Sequence, residues 1–171
     1  MHTLARDEKA VTVMFYTQYG LIHADVVAKE NVRVNIWLRT DSAPKYFHLL
    51  RPNSILLGAG QVRSLNQPEM YLPTAMILAY HLVPPHCEAL DYEPGEANRV
   101  MQPVTAVLGS FNFKGEARIS AQTEFGTTIE VARTAWMSLY NVDISNPLLP
   151  QLAMRVPMMM ANPYQVGFVM G

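Results

Sequence analysis

Five side chains in the middle of the chain, His81, His86, Cys87, Asp91 and Glu93, are of the types that hold zinc or carry acid–base and nucleophilic chemistry. Zinc sites draw such ligands mostly from tight pairs, Cys-x2-Cys or His-x3-His, because one turn then presents two donors together. Cys87 has a single histidine beside it, no second pair follows, and all five histidines of the chain precede residue 87. The spacing predicts edge and linker residues rather than a metal site. Cys87 with His86 or His81 as base would make a thiol nucleophile, but adjacent residues on a strand point to opposite faces, and an inert thiol is the expectation. Gly58-Ala59-Gly60 lacks the third glycine and the following helix that a dinucleotide pyrophosphate needs, so it reads as a bulged strand. No Gly-x-Ser-x-Gly, phosphate-loop lysine or His-Glu-x-x-His motif is present. The carboxylates Asp25, Glu30, Glu116, Glu124 and Glu130 mostly fall in predicted hairpins, on faces expected to be solvated. These residues predict no enzyme, no cofactor and no metal.

The elements that would position such residues must come from a chain of 171 residues, 50% hydrophobic and 16% charged. That composition supports a buried core in one domain or two small ones and excludes a disordered tail. The net charge is −1 and the charges are mixed. Nucleic-acid binding relies on clustered Lys and Arg to displace counterions, so that partner is disfavoured. Cys87 is the sole cysteine, so no intramolecular disulfide forms and nothing points to an oxidising compartment. Residues 1–9 hold no apolar core of signal-peptide length, and the longest notable apolar stretch, Ala75–Ala79, is far short of the roughly 20 residues that span a bilayer. A cytoplasmic protein without membrane insertion is expected.

Period-two alternation dominates. Val11, Val13 and Phe15 alternate with Thr12, Met14 and Tyr16. Ile22, Ala24 and Val26 follow Gly20, and beyond Lys29-Glu30-Asn31 come Val32, Val34, Ile36 and Leu38. This pattern predicts a hairpin over 21–39. Asp41–Arg51, with a capping candidate, Pro44 and a closing Pro52, predicts one or two helical turns. Residues 54–62 and 74–83 read as strands. Residues 86–98 hold four acids, no base and Pro94-Gly95, which is linker composition. The predicted organisation is a first unit over 10–85, an acidic linker over 86–98 and a second unit over 99–171.

The second half repeats the style of the first. A shift of 95 (115 less 20) places Gly20 on Gly115, and Ile22, Ala24 and Val26 on Ala117, Ile119 and Ala121. Later a shift of 84 (157 less 73) places Pro73 on Pro157 and Tyr80 on Tyr164. The difference matches Asp41–Arg51, so an internal duplication is expected in which the second half lacks that helical element. The predicted fold is all-β: two tandem small barrel-like units of about five strands each, with one short helical insertion, since small strand-rich units escape exposed edges by closing.

The run from Gly20 to Val83, with Ile55-Leu56-Leu57-Gly58-Ala59 after the hairpin and short helical element, is similar to uncharacterised bacterial small β-domains of the Sm-like or SH3-like barrel kind. Leu139-Tyr140-Asn141-Val142-Asp143-Ile144-Ser145-Asn146-Pro147 and Arg155-Val156-Pro157 resemble a partner unit of that kind. The resemblance implies a bacterial origin and a barrel fold, and it carries over no functional residue. Val142-Asp143-Ile144-Ser145-Asn146-Pro147-Leu148 resembles part of the Asp-x-Ser-x-x-Gly element of PilZ barrels, which bind cyclic-di-GMP. Leu148 stands at the glycine position, and Arg133 is followed four residues on by Met137, so the paired arginines that grip phosphate are missing.

The expected function is a non-enzymatic interaction or assembly module that self-associates or meets another protein. Its candidate interaction surface is Trp37, Tyr46, Phe47, Trp136, Met158, Met159 and Met160, since aromatic and methionine-rich surfaces suit partner binding. Packing of the same residues in the core is the competing expectation. The alternative function is a sensor for a small ligand or nucleotide, held in a barrel mouth or between the units.

Overall fold

In the computed structural model, which describes residues 2–58, 61–131 and 136–170, the chain forms two compact units, Met1–Glu88 and Ala89–Gly171. The first begins with an antiparallel hairpin of β1 (Glu8–Thr17) and β2 (Gly20–Lys29), in unbroken register from Glu8↔Lys29 to Thr17↔Gly20. Gly20 is required at the turn, because a Cβ there would overlap the carbonyl oxygen of Ile55 on the next strand. The predicted hairpin over 21–39 is therefore displaced: its first half is the second strand of the observed hairpin, and Val34–Arg39 is a 3-10 helix. The cause lies outside the local pattern. The two oxygens of Glu88 accept the backbone N–H groups of Val34 and Asn35, both at 3.0 Å, satisfying donors that a helix start leaves free. Val34, Asn35 and Leu38 are the buried positions, a one-turn spacing that overrides the alternation of Val32, Val34, Ile36 and Leu38.

The segment expected to be helical, Asp41–Arg51, instead runs into the long strand β3 (Tyr46–Gly58). Phe47 and Leu49 point inward, as a strand requires. Along one side β3 pairs with β2; along the other it pairs first with β5 (Glu69–Pro73) and then with β4 (Gln61–Asn66). At Arg51 the strand bulges: the register passes from His23↔Asn53 to Asp25↔Leu50, leaving one extra residue on β3. Arg51 holds a φ of 50° and its guanidinium binds the Asp25 carboxylate across the ladder. A 3-10 turn, Thr74–Met76, precedes β6 (Ala79–Leu82), which pairs with β1. The ladder reads β4-β3-β2-β1-β6, with β5 also on β3. Val13, Phe15, Val26, Phe47, Leu49 and Tyr80 are among its core residues.

The second unit contains β7 (Arg99–Leu108), β8 (Phe111–Ser120), the short helix α1 (Phe125–Val131), β9 (Met137–Ser145), β10 (Met154–Ala161) and β11 (Gly167–Met170). Its ladder is β11-β7-β8-β9-β10. Ile129 and Val131 lie in α1, whose Phe125 packs edge-on against Phe168 at 5.2 Å.

The first two strands of each unit correspond at an offset of 91 (99 less 8 for β1 and β7, 111 less 20 for β2 and β8), not 95, and in the next strand the cross-strand register places Ser54 on Ile144, at 90 (144 less 54). The 3-10 helix Val34–Arg39 corresponds to α1, so the second unit does not lack a helical element; among the described residues the element of the first unit without a counterpart is β5, not Asp41–Arg51. The bulge recurs too: Lys114↔Asp143 passes to Glu116↔Tyr140, with Asn141 at a φ of 51° and its amide donating to Glu116 at 2.8 Å. The fold is thus mostly β and antiparallel. Among the described residues neither ladder pairs its two end strands, so the expected barrels do not close, and the strand counts are six and five rather than five each.

Candidate functional site

The concave feature of the first unit is an apolar bowl of about 330 Å³, toward the low end of the roughly 300–1,000 Å³ typical of ligand pockets. Its floor is made by buried residues of the β1–β2 turn and of β2, β3 and β5: Thr17, Leu21, Ile22, Ser54 and Leu72. Its rim includes Tyr19, Leu56, Leu65, Tyr71 and Met76, all exposed apolar or aromatic side chains, and the exposed amide Gln67. No Lys, Arg, His, Asp or Glu lines it.

Two polar groups lie on the floor, and their situations differ. The Thr17 hydroxyl accepts the Tyr19 N–H at 3.3 Å and donates to the Gly20 carbonyl at 3.3 Å, closing the turn. The Ser54 hydroxyl, in a residue 5% exposed, has no hydrogen-bond partner among the described residues. A hydroxyl in that state costs about 1–3 kcal/mol relative to a paired one. Ser54 stands directly opposite Ile22 on β2 and Leu65 on β4.

The rim is fixed from behind. Tyr71 stacks on the ring of His48 at 4.6 Å and 7°, and His48 Nε2 is 2.6 Å from a Glu69 oxygen. His2 meets His48 edge-on at 4.6 Å and is itself 3.2 Å from Glu8. The Tyr19 carbonyl accepts the Leu57 N–H at 2.8 Å, which ties the turn to β3.

The residues singled out in the sequence go elsewhere. His81 is buried, with Tyr16 at Nε2 and the Leu82 carbonyl at Nδ1, while His86 and Cys87 are exposed. In the second unit Asp91 accepts the Ser138 hydroxyl at 2.6 Å and the Tyr140 hydroxyl at 2.7 Å; Glu93 is exposed and its backbone carbonyl accepts from Arg118. Among the described residues no group of three or more His, Cys, Asp or Glu is placed to hold a metal ion. Three of the four acids of 86–98 are anchored rather than freely solvated: Glu88 caps the 3-10 helix, Asp91 holds β9, and Glu96 pairs with Arg99 and Arg118. Arg118 also lies over the Tyr92 ring at 4.7 Å.

Of the expected interaction surface, Phe47, Trp136, Met158, Met159 and Met160 are buried, Trp37 is half-buried with its edge on Phe47, and Tyr46 is 57% exposed. Burial pushes the Asp25 carboxyl up, but the Arg51 guanidinium and Thr12 hydroxyl outweigh it and hold the group below the usual range. Glu116 receives Asn141, and Glu30, Glu124 and Glu130 are exposed. Asp143 of the PilZ-like stretch is exposed and 3.8 Å from Arg155. Ala59, Gly60 and Arg133 lie outside the described residues.

Sequence reasoning missed Ser54, Tyr19 and Tyr71. Ser54 was visible only as the first residue of an apolar strand; its significance depends on facing Ile22 and Leu65, a pairing fixed by the bulge at Arg51.

Among the described residues no helix is long and apolar enough to cross a membrane. Comparison of the chain with protein-family models, curated proteins and solved structures gives no match, so the reading of the site rests on its own geometry.

Proposed function

We propose that this chain is a non-enzymatic binding module whose ligand site is the bowl of the first unit. The observation that carries this is Ser54: a buried hydroxyl without a protein partner among the described residues, in a mostly apolar hollow whose other buried hydroxyl, Thr17, is spent on closing the turn. The turn and the stacked Tyr71 support it, because a rim held before binding loses little freedom on binding. No nucleophile paired with a base stands in the bowl, which supports binding over chemistry. Titration with the uncharged fluorophore N-phenyl-1-naphthylamine tests the reading. One saturable site per chain is expected, weakened at least five-fold by Leu65→Glu or Met76→Glu at the exposed rim. A non-saturating isotherm, or one indifferent to both substitutions, overturns it.

A second reading, the self-associating module suggested by composition, is supported by β4. All six of its residues are exposed, Val62 and Leu65 included, and among the described residues of its unit it pairs only with β3. An unprotected edge of that kind templates pairing with another strand. Light scattering under reducing conditions tests it: a strict monomer at tens of micromolar, unchanged by Val62→Lys, removes this reading.

A further inference from the structure

We infer that the bowl selects an uncharged, mainly aliphatic molecule with one hydrogen-bonding oxygen at its buried end, and that Ser54 is the residue that determines this choice. The inference rests on the binding-module reading and adds the chemistry of the ligand. Three observations lead to it.

The first is the lining. With no Lys, Arg, His, Asp or Glu among the described residues that line it, a carboxylate, phosphate or ammonium group would lose its hydration on entry and find no counter-charge. That argues against nucleotides, whose phosphates need arginines or a nest of backbone N–H groups. The second is the position of the aromatic and aliphatic groups. Tyr19 and Tyr71 are on the exposed rim, whereas the buried lining includes Ile22, directly opposite Ser54, together with Leu21 and Leu72. A ligand's apolar body therefore meets alkyl groups as it descends, and a single terminal hydroxyl or carbonyl reaches the serine.

The third comes from the second unit. Across the first unit, four directly opposed residues form the row Phe15–Ile22–Ser54–Leu65. The corresponding row of the second is Ala106–Phe113–Ile144–Met154. There Phe113 and Ile144 are buried core residues. In the first unit the bulk sits one strand away, at Phe15, and the position of Ile144 carries a serine. The same scaffold is thus filled with hydrocarbon in one unit and hollowed beside a hydroxyl in the other.

Displacement of bound N-phenyl-1-naphthylamine by octan-1-ol, 1-fluorooctane and octanoate at pH 8 tests the inference. These ligands share a chain length and differ in the terminal group. Octan-1-ol is expected to displace the probe about ten-fold more tightly than 1-fluorooctane, which hydrogen-bonds poorly, and than octanoate, which is charged. In Ser54→Ala the preference for the alcohol over the fluoride should fall to within about two-fold while the probe still binds. Ser54→Ile, borrowing the residue of the second unit, should abolish probe binding with an unchanged or raised melting temperature. Equal affinities of alcohol and fluoride for the wild-type chain, a preference that survives in Ser54→Ala, or tight octanoate binding overturns the inference while leaving the bowl as a binding site. Absence of any saturable probe binding overturns the binding-module reading itself.

Discussion

The Tyr16 hydroxyl lies 3.0 Å from Nε2 of His81, and Nδ1 of the same ring lies 2.9 Å from the Leu82 carbonyl. A carbonyl only accepts, so Nδ1 carries the proton and the Nε2 lone pair receives the tyrosine O–H. Burial disfavours the charged ring, so the histidine is neutral, and the Leu82 carbonyl of β6 sets its tautomer. Burial pushes its pKa down to about 4, with the Leu82 carbonyl opposing and His23 adding slightly; burial likewise raises Tyr16 well above the ordinary tyrosine value.

A pH dependence follows. Unfolded, His81 takes up a proton near the ordinary histidine value of 6.5; folded, only at about 4. Between those values the unfolded state binds more protons, so the stability this group contributes is complete above pH 6.5 and is lost as pH falls toward 4. The loss should be roughly 3 kcal/mol. Urea unfolding at a series of pH values should show it, and His81→Gln, which does not titrate, should flatten the curve in that window.

Tyr16→Phe removes the donor and leaves the Nε2 acceptor buried. Unfolding free energy at pH 7.5 should fall by about 1–3 kcal/mol. A value unchanged within error would mean that the hydrogen bond contributes nothing to the core.

Glu88 is the cap of Val34–Arg39. Glu88→Ala should cost about 1–2 kcal/mol, in the range of lost helix caps. The amide protons of Val34 and Asn35 should exchange faster with solvent, measurable by NMR, and Glu88→Gln, which keeps one carbonyl acceptor, should restore part of the protection.

Two glycines should respond oppositely to the same change. Gly20→Ala drives a methyl group into the Ile55 carbonyl at a φ of +153° and should destabilise by more than about 2 kcal/mol. Gly126→Ala in α1 meets nothing within 4 Å and should stabilise by about 0.5–1 kcal/mol. Thermal unfolding of both variants tests the assignment.

The strand-rich nature of the chain was legible because the inward residues of β1, β2, β7 and β8 keep period two without interruption. The two segments misread share one physical cause: their structure is decided by partners distant in sequence. Val32–Leu38 alternates as a strand would, yet Glu88, more than 50 residues later, supplies the cap that makes it helical. Asp41–Arg51 has helix punctuation, yet Tyr71, Leu72 and Pro73 pair with it as a strand. The duplication offset was drawn to 95 because Gly20 and Gly115 are alike in type; in the structure Gly20 closes a hairpin turn, while Gly115 sits inside β8, where a Cβ would come within 2.7 Å of the Tyr140 carbonyl. Similar residues there answer different steric demands. The candidate site was illegible for a related reason. A serine in an apolar run means little until its cross-strand neighbours are known.

The surplus residue at Arg51 works as a parity switch. Ahead of it the odd positions Phe47 and Leu49 face the interior; after it the even positions Pro52 and Ser54 do. Were β3 one residue shorter, the alcohol group would turn to water and the branched alkyl chain of Ile55 would occupy its place, filling the hollow with no change of composition nearby. The polarity of the bowl is thus written in a count of residues, and deletion of Arg51 would exchange Ser54 for Ile55 in it without a substitution at either position.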